Sequence, residues 1–149
     1  MSKWYRLQIA AVLGLGMMAL TAILRAEVPN QSQESLRKNA THIVTGKVAL
    51  VTEMSTKSGN FDDIKGVCEI TVTASEKGEG IATGKVVKAR YEQSLWIGKG
   101  PSPPRSSGHR DIPKRGDTVR AYLSKAKDGG YDAEFPNGFE QIKPEQKKQ

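Results

Sequence analysis

Residues 41–51 read THIVTGKVALV. Isoleucine, threonine and valine dominate the stretch, and their stiff, branched side chains favour extended backbone over helix. No proline interrupts it through Met54, so one long strand is expected from His42 to Met54. Gly46 sits inside that strand. A glycine there weakens the ladder unless the strand bulges or another backbone comes close, and small barrels need such a bend in order to close. The stretch therefore predicts a long, coiled first strand of a curved sheet.

The residues that follow extend the pattern. The polar run STKSGNFDD, residues 55–63, is read as a turn. IKGVCEITVTASEKG, from residue 64, alternates strictly between Val67 and Ala74, with Cys68, Ile70, Val72 and Ala74 on one face and Glu69, Thr71 and Thr73 on the other. After a glycine-rich loop, a third strand runs from Lys85 to about Trp96, with Val87, Ala89 and Tyr91 inward and Lys88 and Arg90 outward. Residues 117–125, DTVRAYLSK, form a fourth strand with Val119, Ala121 and Leu123 inward. Asp128-Gly129-Gly130 marks a hairpin turn into a short fifth strand near Tyr131 to Phe135. PNGFEQI is read as a further turn. Ahead of the first strand, residues 35–40 suit a turn or two of helix starting near Ser32 or Ser35, too short to persist unpacked.

Residues 98–116 differ in character. They combine prolines and glycines with Lys99, Arg105, Arg110, Lys114 and Arg115, and hold a single aliphatic residue, Ile112. No regular helix fits, and so long a loop inside a small domain is functional or mobile as a rule. Five strands and little helix predict an all-β fold, a five-stranded OB-like barrel preceded by an N-terminal signal or anchor helix. The expected domains are the leader at 1–26, a polar tether at 27–35, the barrel at 36–140 with its proline-rich insertion at 98–116, and a disordered tail at 141–149.

The leader sets the compartment. Lys3 and Arg6 precede an apolar run of 18 residues, Leu7–Leu24, and Ala26 is the natural end of a secretory signal. Leu24 stands where a small residue is preferred, so an uncleaved anchor stays open, with membrane contact only through residues 7–24. Export to the periplasm or beyond, or anchorage there, is expected. The whole chain of 149 residues carries +7. Without Lys3, Arg6 and Arg25 it has 20 basic against 16 acidic side chains, a mild +4. Cys68 is the single cysteine, so no internal disulfide exists, and its apolar neighbours make it a small buried hydrophobe.

Chemistry-bearing patterns are sparse. His42 begins the first strand and His109 lies in the proline-rich loop; a zinc site would need both and a further ligand, and nothing in their spacing suggests it. His109 is read as a solvated loop residue. Asp62 and Asp63 lack the further oxygens that calcium needs, and Asp128, Asp132 and Glu134 are better explained by the hairpin turn. No nucleophile elbow, phosphate-cradling loop or His-Glu-x-x-His is present. No cofactor, metal or catalytic residue is expected, and a small secreted enzyme with an unrecognised site stays as an alternative. The remaining candidate is a basic patch: Lys85, Lys88 and Arg90 on the third strand with Lys99, Arg105, Arg110, Lys114 and Arg115 in the loop, and Trp96 beside them. OB-folds bind polymers with such grooves. A protein or an anionic polysaccharide at the envelope suits an exported chain better than nucleic acid does. Trp96 and Ile97 are expected to cap the barrel end.

The order of signals ATHIVTGKVALV, CEITVTASEKGEG, GKVVKARY and GDTVRAYL resembles the netrin-like OB modules, the group that includes the tissue inhibitors of metalloproteases, and compact bacterial secreted versions of that module. The resemblance spans about residues 36 to 135 and implies the fold alone. Those inhibitors reach a target zinc through an N-terminal cysteine held by disulfides; this chain has neither, and no inhibitory residue carries over.

Overall fold

The computed structural model describes residues 28–101 and 107–143. The expected signal or anchor helix at 1–26, Arg105 and residues 144–149 of the expected tail lie outside them. The described chain is mostly β: one short helix, α1 (Gln33–Asn39), and six strands, β1 (His42–Ser58), β2 (Phe61–Lys77), β3 (Val86–Trp96), β4 (Thr118–Lys125), β5 (Tyr131–Ala133) and β6 (Phe139–Gln141).

The strand order is β1-β2-β3-β5-β4, closed by a β1–β4 pairing, with β6 added alongside β4. All pairings are antiparallel except that of β3 with β5. The result is a five-strand closed, mixed barrel plus one strand. Its core is the inward row expected from the alternation: Cys68, Ala89, Val119, Ala121 and Leu123 are fully buried, and Val87 and Tyr91 nearly so. Ile112 of the proline-rich segment packs against this core.

Gly46 does what the first strand required. The β1–β2 register shifts between Thr45 and Gly46, and a Cβ at Gly46 would lie 2.3 Å from the Thr71 carbonyl oxygen. A second shift between Val48 and Leu50 coincides with the place where β1 leaves β4, whose pairing ends at Lys47–Thr118. Beyond it β1, β2 and β3 run on together as a three-stranded ribbon. Bulges raise local twist and turn a strand aside, which is how β1 serves both the barrel and the ribbon.

Four expectations are corrected. The run 55–63 is not a broad turn: β1 continues to Ser58 and β2 starts at Phe61, leaving a two-residue loop, Gly59-Asn60, with Gly59 at φ +61. Exposed on both faces, this part of the ribbon carries no apolar alternation to read. PNGFEQI holds β6, which pairs Phe139 with Ala121 and buries the Phe139 ring. Trp96 and Ile97 do not cap the barrel. Trp96 meets Phe61 edge-on at 5.2 Å at the ribbon tip, six residues and about 20 Å of strand past Arg90. The end of the proline-rich segment is docked, not free: Gly108 bridges to Gln93, and Pro113 is buried.

Helix α1 has the two turns expected and starts from Ser32. Ser32 caps it by accepting from the Ser35 N–H at 3.2 Å. At the other end the Lys77 ammonium donates to the carbonyl of Arg37 at 2.7 Å, meeting the negative pole of the helix. Leu36 and Ala40 pack on Ile43 and Tyr122, a small second core on the outside of β1 and β4. Of the stretch 27–35, Gln31 is tied down: its N–H donates to Asn137 Oδ1 at 2.9 Å. At the other end of the chain Ile142 donates to the Thr118 carbonyl at 2.8 Å, so residues 141–142 belong to the barrel.

Candidate functional site

The expected basic patch is not one surface. Lys85 is exposed at the loop before β3, where its carbonyl accepts from Val72 N–H. Lys88 points outward and pairs with Glu69 at 3.1 Å. Arg90, also outward, is gripped by Asp128 and Asp132, each at 2.6 Å. The Arg90 hydrogen bond, reinforced by the Gly130 N–H, holds Asp128 below the usual carboxylate range. Lys99 is exposed just past Trp96, whose Nε1 donates to the Gly100 carbonyl at 3.3 Å. Arg110 reaches Asn30 Oδ1 and the Val28 carbonyl, both at 2.7 Å. Lys114 and Arg115 stand exposed in the turn that leads into β4. Among the described residues the structure thus places Lys88, Arg90 and Trp96 on one strand, β3, and Lys85, Lys99, Arg110, Lys114 and Arg115 on the segments before and after it.

Both histidines are braced by main chain. His42 is buried; its Nε2 meets the Glu79 carbonyl at 3.1 Å and its Nδ1 the Thr41 hydroxyl at 2.8 Å. His109 is half-buried, which corrects its reading as a solvated loop residue. Its Nε2–H donates to the Ala133 carbonyl at 2.9 Å, and Nδ1 accepts from the Glu92 N–H at 3.1 Å. His109 therefore ties the proline-rich segment to both β3 and the end of β5. Among the described residues no group of three or more His, Cys, Asp or Glu could hold a metal ion.

What the fold does build is a cleft. It is open, about 860 Å³, and runs along β2 and β3 between the ribbon and the segments carrying Gly108–His109 and Asp132–Phe135. The register explains its floor. Met54, Lys65 and Glu92 lie opposite one another across β1, β2 and β3, as do Val67 with Arg90 and Asp63 with Ser94. All sit on the face away from Cys68, Ala89 and Tyr91, hence on the outside of the sheet. Met54 is 69% exposed and Phe135 40%. Phe135 stands edge-on to His109 at 5.5 Å, so its ring is held as a wall. The lining has two cations, Lys65 and Arg90, against three carboxylates, Asp63, Glu92 and Asp132. It presents apolar contact surface, many hydrogen-bonding groups and no positive field.

Behind the floor, Tyr91 lies flat against Gly66: a Cβ there would fall 2.1 Å from the ring. Its hydroxyl donates to Glu53 at 2.6 Å. Burial, then this bond, pushes the Tyr91 phenol up from its ordinary value. The ring fills the gap that glycine leaves in the middle strand and stiffens the sheet under the cleft.

Sequence reasoning had pointed to Arg90 and missed Met54, His109 and Phe135 as parts of one surface. Their signal is weak, because the three come from strand and loops far apart in the chain. No family model, no curated protein and no solved structure matches the chain.

Proposed function

We propose that the chain is an exported, non-catalytic OB-like barrel that binds an extended segment of a protein partner at the cell envelope. The strand order and the parallel β3–β5 joint support the OB-like reading, and OB-folds take polymeric ligands on the face of strands two and three. The netrin-like resemblance is kept as a likeness of architecture. Export rests on the sequence of residues 1–26.

The observation that carries the reading is the chemistry of the cleft. Exposed Met54 and Phe135 flank a floor on which carboxylates outnumber cations, three to two. An anionic polysaccharide or a nucleic acid would need unpaired cations along its track. Here Arg90 is spent on Asp128 and Asp132, and Lys88 on Glu69. A polypeptide segment can use apolar contacts and hydrogen bonds without a net field.

A photo-crosslinking residue at position 54, in the full chain expressed with its leader, tests this. An adduct to a polypeptide other than a second copy of this chain is expected from position 54 and none from position 34 on the exposed side of α1. Met54→Asp should depress capture of that same polypeptide by about tenfold, as loss of a buried apolar contact does at an interface. Equal labelling from both positions, or low-salt binding of heparin or single-stranded DNA that shifts cleft resonances, would overturn the reading.

A further inference from the structure

The outer half of β1 has one partner where a sheet strand can have two. From Leu50 to Ser58 it pairs with β2, residue by residue, and among the described residues with nothing else. Its pairing with β4 ends at Lys47, and the last main-chain bonds on that side join Val48 to Asp117 and Gly116. An open edge presents a row of unpaired N–H and C=O groups, a template for another strand. This one has no proline, and its side chains are Leu, Val, Thr, Glu, Met, Ser, Thr, Lys and Ser.

The order of those side chains selects the strand that fits. Place a twofold axis at Ser55, with a second copy of the edge running antiparallel. Ser55 then faces its counterpart, Met54 faces Thr56, and Glu53 faces Lys57. By symmetry the charge pair occurs twice, both times on the same face of the sheet. An axis one residue earlier sets Glu53 against Ser55 and Val51 against Lys57, and loses both pairs. Opposite charges directly across antiparallel strands favour a register, and like charges oppose it. The edge is thus complementary to itself in a single register, as a twofold interface must be.

We infer that two copies of this chain associate through antiparallel pairing of the β1 edge, residues 50–58, about a dyad at Ser55. The ribbons join into one continuous sheet. Because the dyad stands perpendicular to that sheet, the two clefts open on the same side. The Met54 residues, each opposite a Thr56, lie beside the dyad between them. The association needs no occupant in either cleft.

A cysteine at the dyad reads the register directly. Opposed residues in an antiparallel pair stand about 4.5–5.5 Å apart at Cα, inside the range of about 4.4–6.8 Å that a disulfide spans. Cys68, the one native cysteine, is buried and stays out of the reaction. Ser55→Cys in the full chain, treated with a mild oxidant, should give a covalent dimer. Ser94→Cys, on β3 away from the dyad, should give none. Adding Lys57→Glu sets acid against acid and should lower cross-linking on the order of tenfold. Mixing the Lys57→Glu chain with a Glu53→Lys chain should restore a mixed dimer that neither forms alone. A Ser55→Cys chain that remains monomeric at high protein concentration overturns the proposal. So does a dimer that Lys57→Glu leaves unchanged.

Discussion

Tyr91 shows how one side chain couples three strands. Its ring covers Gly66 on β2 and its hydroxyl reaches Glu53 on β1, so β1, β2 and β3 are clamped at the root of the ribbon. The sequence placed Tyr91 inward, but the match to Gly66 depends on register, which no local pattern states. Cys68 was legible, because its alternating apolar neighbours fix its face. Burial, then the nearby charge of Asp117, pushes its thiol from 9.0 up to about 12. The consequence for stability has a definite sign. Above about pH 9 the unfolded chain loses this proton while the folded chain keeps it, so stability present at neutral pH drains away as pH rises towards 12. The slope should approach about 1.4 kcal/mol per pH unit. Urea denaturation of wild type and Cys68→Ala at pH 9 to 10 should show the steeper decline in wild type, because the ionisation of the tyrosines is common to both chains and cancels in the comparison. Parallel curves would contradict the assignment.

Helix α1 illustrates how tertiary contact rescues a weak element. Seven residues do not hold a helix in water. The Ser32 cap, the Lys77 ammonium at the C-terminal carbonyls and the burial of Leu36 against Ile43 and Tyr122 supply what propensity lacks. Leu36→Ala should cost about 2–3 kcal/mol, and Ser32→Ala about 1 kcal/mol. Chemical denaturation checks both. If Leu36→Ala costs no more than Ser32→Ala, the second core contributes nothing to stability. Strand β6 is the opposite case. It is three residues long with one buried ring, too short for any periodicity to mark it, and it exists because β4 offers Val119–Ala121 to pair with.

For the whole molecule the weak seam is the parallel joint. β3 and β5 meet at two residue pairs only, Ala89–Tyr131 and Arg90–Asp132, whereas β1 and β4 meet at six. Arg90 staples that joint from outside through Asp128 and Asp132. Local opening follows sparse contact. Amide hydrogen exchange should therefore be faster at Tyr131–Ala133 than at Val44–Gly46 of β1, and Arg90→Leu should widen the gap while the barrel stays folded. Slower exchange at β5 than at the β1–β4 joint would show that the barrel opens elsewhere. The cleft lies over this seam, so an occupant that touches Phe135 and Met54 would bridge β5's connection and the ribbon.

The sequence by itself determined where the barrel portions of the long strands run, which residues of each face inward, and that Gly46 marks a bulge. Those properties live in a period of two residues and in the steric needs of one glycine, so they are local. Closure of the barrel, the open edge of β1, the capture of Arg90 by two aspartates and the assembly of Met54, His109 and Phe135 around a cleft were decided only by the tertiary structure. Each depends on which distant segment lies alongside and in what register, and a shift of one residue would reverse every face involved.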